Sequence, residues 1–173
     1  MNKQQIRQLD LYLAQHKGLL SNEEEQRYIE LVVEGYCTPS PEDGEDEMPV
    51  PLELLRLRKK LQLLVRDAGP EVNSFVIGGR SMWIGKYDRA NYRNAINAAK
   101  EKGRESVKFA SFVIPTVIAD DALTEIEDYA AKCAEKTDDH AAAIMALQSA
   151  EDVERYDITV GYPEIPEFNP WKP

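Results

Sequence analysis

The stretch 72–102, VNSFVIGGRSMWIGKYDRANYRNAINAAKEK, is the part of the sequence that most constrains the fold. Two short apolar runs, at residues 75–77 and 82–84, flank Gly78 and Gly79. Since glycine reaches positive φ without steric cost, this pattern predicts a β-hairpin. A helix is predicted directly after it, with Asp88 as its N-cap. Its apolar face would carry Tyr92, Ala95, Ile96 and Ala99.

The same order of elements recurs further along the chain. Sliding the sequence by 32 positions places residues 75–77 on residues 107–109. The apolar stretch 106–115 therefore predicts a second hairpin. Because a single two-stranded hairpin is marginal in water, we expect the two hairpins to share one small antiparallel sheet.

Helices account for most of the remaining chain. One is predicted from about Asp120 to Lys136, and the next begins at Asp138 or Asp139, followed by a last turn at residues 150–155. Near the N-terminus, helical spacing of Ile6, Leu9, Leu13 and His16 predicts a first helix. Ser21, followed by three glutamates, predicts the start of a second, so that the N-terminal segment forms a helical hairpin.

The segment 38–51, TPSPEDGEDEMPVP, is acidic and rich in proline, which predicts a solvated linker. Its acids lack the alternating spacing of an EF-hand calcium loop. The segment LELLRLRKKLQLLVRD that follows predicts a strong amphipathic helix. Leu54, Leu57, Leu61 and Leu64 have the a/d spacing of a coiled coil over about two heptads. They are candidate partner-binding residues for self-association, and the alternative is that the helix packs on its own domain.

Charge is divided into blocks along the chain. Residues 1–55 carry 12 acids and 4 bases, residues 56–108 carry 5 acids and 13 bases, and residues 109–173 carry 14 acids and 4 bases. The acidic ends can neutralise the basic middle within one chain or between copies, and neutralisation between copies predicts a homo-oligomer. The net charge of −10 argues against a nucleic-acid partner.

The sequence shows no catalytic signature. There is no phosphate-binding glycine loop, no dinucleotide turn and no Ser/His/Asp grouping, so we predict neither an enzyme nor a cofactor. Cys133 and His140 are too few ligands for a zinc site. Cys37 and Cys133 are expected to be reduced thiols, with a disulfide as the alternative. No apolar run approaches the about 20 residues that cross a bilayer, and the N-terminus lacks a signal-peptide core.

Two aromatic features complete the predicted organisation. Trp83 is expected to be buried against Phe75 and the helix that contains Ile96. The C-terminal tail carries four apolar anchors between prolines, which predicts docking on a partner or packing on its own domain. These candidate partner-binding residues are Tyr162, Ile165, Phe168 and Trp171.

Together these elements predict an α+β, helix-rich fold. Two β-hairpin–helix units would form its compact domain. The predicted segments are an N-terminal helical part at 1–37, a linker at 38–51, an amphipathic helix at 52–70, the compact domain at 71–163 and an extended tail at 164–173.

Residues 72–168 resemble a family of uncharacterised domains of tailed bacteriophages and prophages of gut bacteria. The resemblance is carried by the hairpin with Met82 and Trp83, by the Cys133…His140 helix pair and by the closing motif YD-x-T-x-GYP at 156–163. Such domains are commonly encoded near tail-fibre and other virion genes. The resemblance implies a virion structural or adaptor protein of the tail, fibre or neck that contacts other virion proteins, and it offers no catalytic residues. The alternative is a cytoplasmic tail-fibre assembly chaperone.

Overall fold

The computed structural model of the chain describes residues 3–37 and 50–169. As predicted, the fold is α+β and rich in helix. The helices are α1 (Lys3–Gln15), α2 (Asn22–Cys37), α3 (Leu52–Asp67), α4 (Pro70–Asn73), α5 (Lys86–Glu101), α6 (Thr116–Ala146) and α7 (Ala150–Arg155). The strands are β1 (Ser74–Ile77), β2 (Arg80–Trp83), β3 (Ser106–Phe109), β4 (Phe112–Pro115) and β5 (Glu167–Phe168).

The chain divides into two compact units. Unit 1 combines Met1–Arg66 with Thr137–Val160, and unit 2 combines Asp67–Lys136 with Gly161–Pro173. Residues 137–160 therefore belong with the N-terminal helices, whereas the sequence analysis grouped them with segment 71–163. The predicted linker lies mostly outside the described residues.

Unit 1 contains the predicted helical hairpin of α1 and α2. Ser21 caps α2: the Glu24 backbone N–H donates to Ser21 Oγ over 3.3 Å, and the Ser21 N–H donates back to Glu24 Oε2 over 3.2 Å. This reciprocal pair is a capping box. Tyr28 is fully buried and donates its hydroxyl to the Leu9 carbonyl over 3.1 Å. Burial raises the pKa of Tyr28 to about 12, so the hydroxyl stays a donor at neutral pH.

The leucine stripe of α3 lies inside unit 1. Leu54, Leu57 and Leu61 are at most 2% exposed and belong to the same apolar cluster as Ile6, while Leu64 packs partly against it. The spacing is therefore used to bury the helix within its own unit. This favours packing over self-association, since Leu54, Leu57 and Leu61 offer almost no surface to a second copy while unit 1 is folded.

Unit 2 contains two hairpins, as predicted, but they do not share a sheet. β1 and β2 pair antiparallel with Phe75 opposite Met82, and β3 pairs only with β4. The free edge of β1 is taken by β5, which runs parallel to it. The Val76 N–H donates to the Pro166 carbonyl over 2.8 Å. Backbone pairing of the two hairpins is therefore replaced by side-chain packing.

Helix α6 corrects a second expectation. It runs without interruption for 31 residues, and Asp138 and Asp139 lie inside it as exposed side chains rather than at a helix start. The sequence from 116 to 146 contains neither glycine nor proline, so nothing in it ends the helix. Asp88 likewise lies in the first turn of α5, because Gly85 is the N-cap.

Trp83 is not part of the core, contrary to the prediction. Its exposed fraction is 50%, whereas Phe75 is fully buried. Side chains alternate between the two faces of a strand, and Met82, opposite Phe75, takes the position that packs on the core. Trp83 pairs with Ser74 on the other face. The core consists of Phe75, Ile77, Ile84, Ile96, Phe109, Ala110, Ile114, Ala119, Ala122, Leu123 and Ile126.

Ion pairs join the charge blocks inside each unit. In unit 1, Lys60 of the basic block pairs with Glu24 of the acidic N-terminal block. In unit 2, Arg93 pairs with Asp120 and Glu127 of the acidic C-terminal block. The predicted neutralisation of the basic middle by the acidic ends is thus partly made within the chain.

The two hairpin turns differ in backbone strain. The first uses Gly78 and Gly79 at φ of 56° and 74°, and the second, 32 positions later, uses Ala110 and Ser111 at φ of 45° and 72°. A left-handed conformation costs a non-glycine residue about 1–2 kcal/mol, and glycine loses about 0.5–1 kcal/mol more entropy on folding. We therefore expect Ser111→Gly to raise the free energy of unfolding by about 0.5–1 kcal/mol.

Urea unfolding measures this change, with Gly79→Ala as the matched control. We expect Gly79→Ala to lower the free energy of unfolding. Apart from its chain neighbours, no atom lies within 4 Å of a Cβ built at Gly79, so the φ of 74° and not a steric clash is the reason for this loss. A Ser111→Gly protein that is less stable than the parent would contradict the strain argument.

Candidate functional site

The open pocket beside Trp83 is the candidate functional site of unit 2. Its volume is about 280 Å³. The end of α3 and α4, the end of β2, the start of α5 and the middle of α6 form its walls. The lining residues are Asp67, Ala68, Val72, Asn73, Trp83, Gly85, Lys86, Arg89, Ala130, Cys133 and Ala134.

Small side chains of α6 leave the space that the pocket occupies. Ala130, Cys133 and Ala134 fall on one face of that helix, since residues three and four apart are neighbours. Trp83 stands beside Gly85: a Cβ built there would lie 3.8 Å from Trp83 Cη2. The pocket is therefore walled by an aromatic ring on one side and by small residues on another.

Cys133 belongs to the apolar part of the pocket. It is 2% exposed and packs in a cluster with Val72 and Tyr129, and Tyr162 packs partly against this cluster. Cys133 forms no disulfide with any residue that the structure describes, and the side chain of Cys37 lies outside the described residues. A buried thiol of this kind acts as a small apolar side chain.

Two cations and one carboxylate stand among the lining residues. Lys86 is exposed, and Arg89, half-buried, donates from Nη1 to the Ile84 carbonyl over 3.4 Å. Neither forms an ion pair with any residue that the structure describes. The carboxylate is Asp67, whose backbone carbonyl accepts from Asn73 Nδ2 over 2.7 Å. The lining thus carries one net positive charge.

The predicted tail anchors are divided between packing and exposure. Phe168 lies in β5 with its ring centroid 6.2 Å from that of Phe75, and Tyr162 packs beside Cys133. Ile165 is 47% exposed, and Trp171 lies outside the described residues. Two of the four anchors thus pack on their own unit, which favours the alternative in which the tail is tied down.

His140 serves unit 1 as a hydrogen-bonding side chain. It is 2% exposed, with Nδ1 2.7 Å from the Tyr156 hydroxyl and Nε2 2.9 Å from the Val160 carbonyl. A carbonyl only accepts, so Nε2 carries the proton and Tyr156 donates to Nδ1. Asp157 holds the same loop by accepting from the Thr159 N–H over 2.8 Å. The start of the closing motif is therefore bound to α6 through the contacts of His140 with the Tyr156 hydroxyl and the Val160 carbonyl.

We expect Tyr156→Phe to lower the free energy of unfolding by about 1–2 kcal/mol, because Nδ1 of the buried His140 loses its donor. Thermal unfolding of the two proteins side by side measures the loss. Tyr87→Phe is the matched control, since Tyr87 is 79% exposed. Equal melting temperatures for Tyr156→Phe and Tyr87→Phe would contradict this role of the hydroxyl.

Three further observations bear on the kind of site. Across residues 3–37 and 50–169, no helix combines the length and apolar character needed to cross a membrane. Within the same ranges, no three histidine, cysteine or acidic side chains are grouped so as to hold a metal ion. Comparison of the chain with protein-family models, curated proteins and solved structures gives no match.

Sequence reasoning missed the pocket because its walls are distant in the chain. Val72, Trp83 and Cys133 come from three separate elements. One local feature does indicate the position of Trp83. The Gly78-Gly79 turn sets the register that places Met82 opposite Phe75, which lies on the core face. Because neighbouring side chains of a strand point to opposite faces, Trp83 lies on the other face.

Proposed function

We propose that the chain is a structural adaptor of a bacteriophage virion, located in the tail, fibre or neck, and that it acts through contacts with other virion proteins rather than by catalysis. The observation that carries the proposal is the half-exposed Trp83 at the open pocket of unit 2. Tryptophan is enriched among the residues that dominate the binding energy of protein interfaces. The resemblance of residues 72–168 to phage-encoded domains supports the virion as the place of action.

The pocket suits a protein partner better than a cofactor. Sites that enclose drug-sized ligands measure about 300–1,000 Å³ and bury most of the ligand surface. This pocket is open and measures about 280 Å³, which is space for one or two side chains of a partner. An aromatic anchor beside such a space is the usual centre of a binding patch.

The structure changes how the attachment site must be tested. Residues 1–50 supply much of the apolar cluster of unit 1, including Ile6 and Tyr28, and residues 164–173 supply β5. Deleting either end would remove part of a folded unit. Substitutions of exposed side chains are therefore a better test of attachment than deletion of either end.

Mass spectrometry of purified virions tests the proposal. We expect the chain in finished particles at a fixed copy number, and we expect Trp83→Ala to lower that copy number while its melting temperature stays close to that of the parent. Tyr87→Ala, which changes an exposed ring outside the pocket lining, is the control. A chain found in infected cells but missing from finished particles would overturn the adaptor proposal and support the assembly chaperone.

A further inference from the structure

We propose that the unit 2 pocket binds an acidic segment of a partner protein, with one large apolar side chain of that segment seated beside Trp83. This inference rests on the proposed function, because it names the chemistry of the partner at the same site.

The apolar walls of the pocket favour an apolar side chain on the partner. Trp83 keeps half of its surface exposed, while Val72 and Cys133 are almost fully buried. Ala130 and Ala134 add only methyl groups to the lining. An inserted aliphatic or aromatic side chain would cover the indole and contact these groups, which removes apolar surface from water on both partners.

The acidic character of the partner follows from the cations at the rim. Arg93 and Lys100 of the same helix α5 both pair with Asp120, and Arg93 also pairs with Glu127. Lys86 and Arg89 form no ion pair with the described residues, as noted above, and stand beside the pocket. Carboxylates on the partner would meet these cations, and such complementarity raises the rate of association and fixes the orientation of the bound segment.

A fluorescence titration of the full-length chain tests both features. Trp171→Phe leaves Trp83 as the only tryptophan, because the sequence contains two. The probes are a short peptide of glutamates around one central leucine, a matching peptide with lysines for the glutamates and a third with serine for the leucine. We expect the glutamate–leucine peptide to bind in the micromolar range and to change the Trp83 emission, and we expect the other two to bind about tenfold or more weakly.

Two pairs of variants locate the binding. Ala134→Phe fills the pocket from its exposed α6 wall, and Ala131→Phe adds the same ring to an exposed α6 position outside the lining. Lys86→Glu reverses a rim charge, and Lys108→Glu makes the same change of net charge on β3. We expect Ala134→Phe and Lys86→Glu to weaken peptide binding about tenfold and the other two variants to bind like the parent. Circular dichroism of each of the four variants tests whether it remains folded.

Three outcomes would overturn the inference: no binding of the glutamate–leucine peptide, equal binding of the lysine peptide, or unchanged binding to Ala134→Phe. This experiment uses purified protein, whereas the adaptor proposal is tested on virions. Failure of the titration with the chain still present in particles would refute the acidic partner alone. Peptide binding by a chain that is missing from particles would refute the virion role alone.

Discussion

Replacing Phe75 by alanine is expected to lower the free energy of unfolding of unit 2 by about 3–5 kcal/mol. The side chain is fully buried, and its ring centroid lies 6.3 Å from that of Phe109 and 6.2 Å from that of Phe168. The substitution leaves a cavity where β1, β3 and β5 contribute aromatic rings. A loss of this size is a large part of the about 5–15 kcal/mol that stabilises a typical domain. Hydrogen exchange of the β1 and β5 amides measures the loss in unit 2 directly.

Trp83→Ala is the matched control for Phe75→Ala. Both remove an aromatic side chain from the same hairpin, but Trp83 is 50% exposed. We therefore expect the control to change the free energy of unfolding by less than about 1 kcal/mol. If the two variants lost equal stability, the assignment of Phe75 to the core and Trp83 to the pocket would be wrong.

Replacing Leu61 by alanine is expected to lower the free energy of unfolding of unit 1 by about 2–5 kcal/mol. Leu61 is fully buried among the apolar residues of α1, α2 and α3. Since the cavity forms within one unit, the loss of stability should not depend on protein concentration. Urea unfolding at several protein concentrations measures both quantities.

The experiment also decides between the two interpretations of the leucine stripe. Leu11→Ala is the control, because Leu11 lies on α1 with 51% of its side chain exposed and should cost little. If Leu61→Ala left dilute protein as stable as the parent and weakened only assembly at high concentration, self-association through α3 would be the correct interpretation. The burial of Leu54 and Leu57 predicts the opposite result.

Local chemistry was sufficient to place most elements. The bounds of α3 follow from proline before it and Gly69-Pro70 after it, and the capping box of Ser21 and Glu24 marks the start of α2. The turn at Gly78 and Gly79 sets the first hairpin. Each of these helix ends and turns is set by residues that are close together in the sequence. The sequence alone is therefore enough to predict them.

The sites were less accessible to sequence reasoning than the elements. The α3 stripe was correctly identified as apolar, but a stripe of that width fits burial in the same chain or in a partner, and only the packing of α1 and α2 against Leu54 and Leu61 decides between them. The tail was predicted to carry four apolar anchors, but the sequence alone does not show what they contact. The contacts of Tyr162 with the Cys133 cluster and of Phe168 with Phe75 show where two of them lie.

Tertiary structure decided the features that depend on distant partners. β5 pairs with β1, although about ninety residues separate the two strands in the sequence. Because β5 occupies this edge of β1, the second hairpin does not pair there, and the two hairpins lie in separate sheets. The pocket forms where small residues of α6 lie near Trp83, on the face of β2 that points away from the core. The sequence determines which residues prefer strand, turn or helix, since those preferences act over a few bonds. Which faces meet depends on the packing of the whole chain, since burial is shared among residues far apart in sequence.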